Sequence, residues 1–332
     1  MKTRLPSSLM LMIIFCLSTS LRAQENREAE HACFRLENGK VIPLIMGLSQ
    51  ENSNLFHKEF IPVKEWSGKQ VFAVIPAMDQ AYFITINGFR FGSDPGSGRV
   101  SEYNITPFIQ DQTNVLELET SPSAGEKNAA SIIPANLLIR ENIYCRDLLI
   151  STHQDGLEHK VLVRFHIFLK SYLQEKNPGR SLHLEVNPKG AETIFEKTLE
   201  LSTPLSFGQE TEMIIDMSLE EPLYWLPGAP EYYEVELSIG EKGEQKPELI
   251  STLFDIRSFQ TNDSLFIHHG DSVPLVYPSG NMATTRPDFP DQGLSEFIKN
   301  LGINAIHLDT PPSCIQQEYF IRNGILPVFK SE

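Results

Sequence analysis

The chain is short of the residues that announce a chemistry. It has four cysteines in 332 residues, set far apart at 16, 33, 145 and 314, which spells out neither a disulfide framework nor a thiolate zinc site. Basic residues are in deficit: 28 Lys and Arg stand against 43 Asp and Glu, a formal charge of −15. Such a chain is repelled by nucleic acid and by anionic membrane surfaces. There is no phosphate-cradling glycine loop and no helix patterned to read DNA. No Cys/His cluster has metal spacing, so neither a metal nor a cofactor is expected. Long apolar runs are missing too. The longest, 9–17, is too short to span a bilayer. With Lys2 and Arg4 ahead of it and small residues behind, 1–23 is read as a cleavable signal peptide. Export to the periplasm or the extracellular space follows as an expectation. Cys16 invites a lipid anchor, but the bulky Phe15 before it argues for ordinary cleavage near Ala23. Of the remaining cysteines, Cys33 and Cys145 leave one bridge as an alternative, and buried small apolar side chains are the favoured reading.

What is present is globular, with 41% hydrophobic and 9% aromatic residues. Residues 34–144 alternate short β-rich runs with turns. The runs are 70–76, 81–87 and 113–120, and period-two alternation is clear around Phe83, Thr85 and Asn87. Asn87-Gly88 predicts a type I′ hairpin, whose two central positions need positive φ. Asp94-Pro95-Gly96-Ser97-Gly98 is a loop by composition. Residues 146–259 repeat the theme, with strands predicted at 148–152, 159–168, 181–186, 212–217, 232–239 and 251–257. About 110 residues with about seven strands suits an immunoglobulin-like sandwich.

After residue 259 the grammar changes. A short apolar strand is predicted at 273–277. Leu294, Phe297, Ile298 and Leu301 then fall on one helical face, stopped by Gly302. A second strand is predicted at 305–308, a helix from a Ser313 cap to Asn323 with Gly324 as terminator, and a third strand at 325–329. Strand, helix, strand, helix, strand implies parallel pairing with right-handed crossovers. That is the opening of a (β/α) barrel, whose closure needs about eight such units and roughly 250 residues.

Several segments together resemble glycoside hydrolase family 2, the group of β-galactosidases, β-glucuronidases and β-mannosidases. Phe56-His57-Lys58-Glu59-Phe60, Trp66-Ser67-Gly68-Lys69, Ile86-Asn87-Gly88, Tyr103-Asn104-Ile105-Thr106 and Asn114-Val115-Leu116 are similar to its N-terminal sugar-binding sandwich. Trp225-Leu226-Pro227, Tyr232-Tyr233-Glu234-Val235 and Phe254-Asp255-Ile256-Arg257 are similar to the end of its immunoglobulin-like domain. The run from Phe297 through Asn304-Ala305-Ile306, with Asn323-Gly324-Ile325, is similar to the start of its barrel. The resemblance implies a mainly β chain in four parts: a signal peptide (1–23), a galactose-binding-like jelly-roll β-sandwich (24–145), an immunoglobulin-like β-sandwich (146–259) and an incomplete (β/α) barrel (260–332). For the full-length family it implies retaining hydrolysis of O-glycosyl bonds by two glutamates on later barrel strands. No catalytic residue is therefore assigned, and this chain by itself is expected to be inactive.

The chain also departs from the family pattern. His307 stands where an arginine is usual, and Thr310-Pro311-Pro312 where His-Tyr-Pro is usual. Gly280-Asn281-Met282-Ala283-Thr284 replaces histidines after the first barrel strand, and residues 121–134 carry neither Trp nor Asp.

His307 and Asp309, two apart at the C-terminal end of the second barrel strand, are the candidate substrate-binding residues, since barrel ligands bind at that end. Weaker candidates are Asp94 with Ser93, Ser97 and Arg99 as a glycan contact, and His268-His269 with Asp263 and Asp271 as a metal site. Both read more simply as polar turns. Asn104-Ile105-Thr106 fits a glycosylation triplet. Trp225 is expected to seal the base of the second sandwich, and Arg257 to pair with a carboxylate or sit in solvent. The expected partner is a β-linked glycan, as the ligand of a glycosidase scaffold or of a non-catalytic glycan-binding adaptor. A protein partner or self-association at the open barrel edge is the third reading.

Overall fold

The computed structural model describes residues 30–31, 34–37, 40–50, 54–121, 132–155, 160–173, 180–201, 207–241, 247–258, 260–262, 265–268, 271–277, 298, 300–308, 312 and 314–329. Two short N-terminal strands come first, β1 (Glu30–His31) and β2 (Arg35–Leu36). Eight strands follow: β3 (Lys40–Leu48), β4 (Leu55–Phe60), β5 (Gln70–Ile75), β6 (Tyr82–Ile86), β7 (Phe89–Asp94), β8 (Ser101–Asn104), β9 (Asn114–Thr120) and β10 (Ile132–Arg140). Their order is β7-β6-β9-β4-β3-β10-β5-β8. β3 and β4 share only the pairs Gly47↔His57 and Leu48↔Phe56. The sheet is thus two four-stranded leaves joined at one corner and rolled over a common core. Alternation drives the roll: Leu116 and Leu118 point inward from β9, Ile84 and Ile86 from β6, Ala135 and Leu137 from β10, all buried. The outer strands β7 and β8 meet at the far side, where Phe91 and Tyr103 pack edge to face with centroids 5.9 Å apart. The β6–β7 turn is the one expected from Asn87-Gly88, with φ of +49° and +82°. The Asn87 side chain also accepts from Val115 N–H at 2.9 Å and donates to Asn114 Oδ1 at 2.8 Å, tying the hairpin to β9.

The second sandwich comprises β11 (Ile143–Asp155), β12 (Lys160–Ser171), β13 (Arg180–Pro188), β14 (Phe195–Glu200), β15 (Glu210–Leu219), β16 (Tyr233–Glu241) and β17 (Glu248–Phe254). Its sheets run β1-β11-β12-β15 and β14-β13-β16-β17-β2. Phe165, Ile167, Leu184, Tyr233, Leu237 and Phe254 fill the space between them. Sequence order puts β1 and β2 with the first sandwich, but their backbone pairs with the second. His31 lies opposite Leu149, and Leu36 opposite Ile250. The edges of β11 and β17 supply the donors and acceptors that these two strands satisfy.

The third region opens with a meander of β18 (Gln260–Asn262), β19 (Leu265–His268) and β20 (Asp271–Val273). It continues to β21 (Ala305–Leu308), α1 (Cys314–Asn323) and β22 (Leu326–Phe329). β21 and β22 pair in parallel, Ala305↔Leu326 through Leu308↔Phe329, with α1 as the crossover between them. Ile298, Ile303, Ile306, Leu308, Phe320 and Ile325 pack between strands and helices. Two details differ from expectation. Residues 274–277 belong to no strand ladder. Leu301, placed on the buried helical face by its spacing, is 55% exposed, because the helix gives way to a turn at that residue. Leu294, Phe297 and Ser313 lie outside the described residues.

Candidate functional site at the C-terminal ends of the barrel strands

β21 alternates its side chains between two faces. Ile306 and Leu308 turn toward the helices, leaving Ala305 and His307 on the other face, in register with Leu326 and Val328 of β22. At the lower level of that face Ala305 and Leu326 pack on Trp225, joined by Leu275, Ile321 and Val328. Above them, at the C-terminal ends, Tyr277 and His307 stack with ring centroids 4.9 Å apart and planes 13° apart. Both rings keep an open side: Tyr277 is 38% exposed and His307 is exposed. Burial of its remainder raises the Tyr277 hydroxyl above its ordinary value of 10.0. The tyrosine is therefore a neutral donor and acceptor at physiological pH.

Trp225 is fully buried, and its role corrects the expectation from sequence. It closes the floor of the barrel strands rather than the base of the sandwich. Its backbone N–H donates to the Ile256 carbonyl at 2.8 Å, which holds it to the second sandwich. Its indole N–H donates to the Ile321 carbonyl of α1 at 2.9 Å. Beneath the ring lies the Arg257 guanidinium, 4.2 Å from the ring centroid and bonded twice to the buried Asp255, at 2.9 and 2.6 Å. Arg257 is thus paired with a carboxylate and is not a free surface cation. Gly228 N–H reaches the Gly324 carbonyl at 2.8 Å. A Cβ on Gly324 would stand 2.9 Å from that Gly228 nitrogen, and its φ is +66°, so only glycine fits where these two backbones touch.

Of the two substrate-binding candidates, His307 occupies the predicted strand end, and Asp309 lies outside the described residues. Tyr277 was not singled out from the sequence. The signal that could have found it is an aromatic residue closing the first predicted barrel strand. Asp94 turns inward on its own loop: its carboxylate accepts from Ser97 N–H at 2.7 Å, Gly96 N–H at 2.8 Å, Ser97 Oγ at 2.9 Å and Ser101 Oγ at 3.2 Å. That saturates it as a turn anchor. Asn104 is likewise internal, with Nδ2 donating to Gln70 Oε1 at 3.0 Å and Oδ1 accepting Thr106 N–H at 3.0 Å. His269 and Asp263 lie outside the described residues. Among the described residues no group of three His, Cys, Asp or Glu could hold a metal ion. Cys145 is a free, buried thiol, which overturns the Cys33–Cys145 bridge; Cys33 itself lies outside the described residues.

A cleft of about 450 Å³ lies elsewhere, between β2, β16, β17 and α1. Both of its cations are already engaged by carboxylates. Arg35 pairs with Glu318, and Arg322 reaches Glu318 at 2.8 Å and Glu234 at 3.2 Å. Neither Tyr277 nor His307 lines it. The strand-end face, built on a parallel pair and floored by Trp225, is the better candidate.

With this geometry in view, comparison with known proteins is informative. No family model matches the sequence. A β-galactosidase of Priestia megaterium is 18% identical over 295 residues, covering 84% of this chain and 28% of that enzyme. A Bacteroides uniformis β-glucuronidase structure superposes with a TM-score of 0.64 at 18% identity, covering 82% of this chain and 35% of its own. A glycosyl hydrolase family 2 member from Bacteroides cellulosilyticus gives 0.62 at 16% identity, covering 82% and 39%. The chain is glycoside hydrolase family 2-like. It shares the mainly β fold of these proteins and spans about a third of the length of the relatives it matches. Among the described residues, no helix is long and apolar enough to cross a membrane.

Proposed function

We propose that this chain is the sandwich scaffold and first barrel wall of an exported, carbohydrate-processing protein of the family 2 kind, acting on β-linked glycans. The observation that carries the reading is the stacked pair Tyr277–His307 at the C-terminal ends of parallel strands, above a tryptophan floor. An imidazole and a phenol set side by side offer hydrogen bonds to sugar hydroxyls and ring surface to sugar C–H groups. Retaining hydrolysis needs two carboxyl groups about 5–5.5 Å apart. The described residues of this face, Tyr277, His307 and Val328, include no carboxylate. The chain by itself is therefore expected to bind rather than cleave. The test is turnover of nitrophenyl β-galactoside and β-glucuronide by the purified chain, alongside calorimetry with β-linked oligosaccharides. Measurable hydrolysis refutes the division of labour. Binding that disappears in His307→Ala supports the site, and no binding across the panel refutes it.

A second reading, a non-catalytic glycan-binding adaptor, draws on the imidazole at 307, where the family resemblance has a guanidinium. An imidazole stacked on Tyr277 suits sugar hydroxyls, whereas a bidentate guanidinium suits anions. Export rests on the 1–23 leader pattern. N-terminal sequencing of secreted material beginning after Ala23 is the expected result.

A further inference from the structure

Asn304, the residue before β21, is a polar side chain only 8% exposed. Its amide faces residues 274–276 sideways. Oδ1 accepts the Val276 N–H at 2.7 Å, and Nδ2 donates to the Pro274 carbonyl at 2.9 Å. These are the bonds a neighbouring strand would have made, and residues 274–277 have no ladder of their own. The Asn304 main chain adds more. Its N–H and that of Ala305 both reach the Val276 carbonyl at 3.2 Å, and Leu326 N–H donates to the Asn304 carbonyl at 2.7 Å. One residue thus joins the three segments whose ends carry Tyr277, His307 and Val328. An amide sealed from water is costly unless its bonds are made, so it selects the single alignment that makes them. A slip of one residue in 274–277 would give up these bonds and carry Tyr277 away from its contact with His307.

We propose that Asn304 is the positioning residue of the candidate site, setting the register in which Tyr277 stacks on His307. The functional importance of that register rests on reading this face as the ligand-facing end. Asn304→Asp is the discriminating variant. As a carboxylate it still accepts from Val276 N–H but presents a second oxygen to the Pro274 carbonyl, where a donor is required. As a carboxylic acid it donates there again.

The experiment follows ring-to-ring nuclear Overhauser contacts between Tyr277 and His307 in the full chain across pH. The unsubstituted chain serves as control for the other ionisable groups, which among the described residues of the packed elements include Tyr277, His307, the Arg257–Asp255 pair beneath Trp225, and Glu318, Tyr319 and Arg322 of α1. The contacts are expected to vanish in Asn304→Asp at neutral pH and to return in acid. Their persistence in the variant at neutral pH, or their failure to return in acid, overturns the proposal. Should the variant not fold, amide exchange of the unsubstituted chain decides. Val276 N–H is expected to be as protected as the β21 amides although it lies outside any ladder, and free exchange overturns the proposal. A chain with intact ring contacts and a protected Val276 that binds no β-linked glycan upholds the register and refutes only the ligand reading.

Discussion

Arg140 and Glu248, 108 positions apart, form a two-point ion pair between the end of the roll and the second sandwich, with Nη2–Oε1 at 2.7 Å and Nε–Oε2 at 3.3 Å. Their side chains are 6% and 1% exposed. Arg140 also donates to the Cys145 carbonyl at 2.9 Å, and Glu248 accepts Cys145 N–H at 3.1 Å, so the pair clasps the first residues of β11 to the end of the roll. Removing one partner strands the other and is expected to cost about 3–5 kcal/mol, whereas Arg140→Met with Glu248→Leu should recover most of that loss. Urea titration of the three variants checks this, and a double variant as damaged as the singles would contradict it. Burial lifts the Glu248 carboxyl above its ordinary value of 4.5, outweighing the pull of Arg140. The folded state therefore holds this proton more tightly than the unfolded chain, and the contribution favours folding in acid and fades as pH rises. Arg140→Met should accordingly be less damaging near pH 4.5 than at neutrality.

Trp225 joins the second sandwich to the barrel start through its ring and its indole N–H. Trp225→Ala is expected to cost about 3–5 kcal/mol, as for other large aromatic truncations in a core. Trp225→Phe keeps most of the packing, loses the bond to Ile321, and should cost about 1–2 kcal/mol. Hydrogen exchange localises the effect: α1 should lose protection before β12 does. A uniform loss across both sandwiches would mean that the tryptophan supports the whole fold rather than this junction.

Asp94 should make its loop acid-sensitive. Bonds from the Ser97 backbone first, then from the Ser97 hydroxyl, Gly96 and Ser101, hold its carboxyl below the ordinary 3.8 against a smaller opposing desolvation. A depressed folded value means that the anchor is intact above the ordinary carboxylate range and is lost as pH falls through the folded value. The Gly96 and Ser97 amide resonances are expected to titrate together in that acid range, and Asp94→Ala should abolish the transition. Amides that stay constant down to pH 2 would show that the loop does not depend on this carboxylate.

Burial pushes the Cys145 thiol up to about 12. The thiolate is the reactive species, so Cys145 should resist alkylation at pH 8 in the folded chain and react promptly in denaturant. Peptide mapping after iodoacetamide distinguishes it from the other cysteines. Modification of the folded chain at Cys145 on the timescale of a free thiol would disprove its burial.

Much of this architecture was written locally. The Asn87-Gly88 hairpin, the alternating strands of both sandwiches, Gly324 as a helix stop and the parallel β21–β22 pair all follow from residue type and period, because they depend on φ preferences and on which side of a strand each side chain takes. β3 and β10 were less legible. Pro43 and Pro134 interrupt them and argue against a strand interior, yet long cross-strand pairing overrides that preference.

His307 could be placed at a strand end by counting residues. What the chain sequence settled alone is therefore the kind of elements, their order, and the acidic, cysteine-poor character of the chain. Three things were decided only in the folded molecule: that Trp225 floors the barrel rather than the sandwich, that β1 and β2 pair with the second sandwich, and that Tyr277 lies on His307 beside the bonds of Asn304. Each is a contact between segments distant in sequence, whose energy comes from burial and from satisfied hydrogen bonds, and neither term exists until the segments meet.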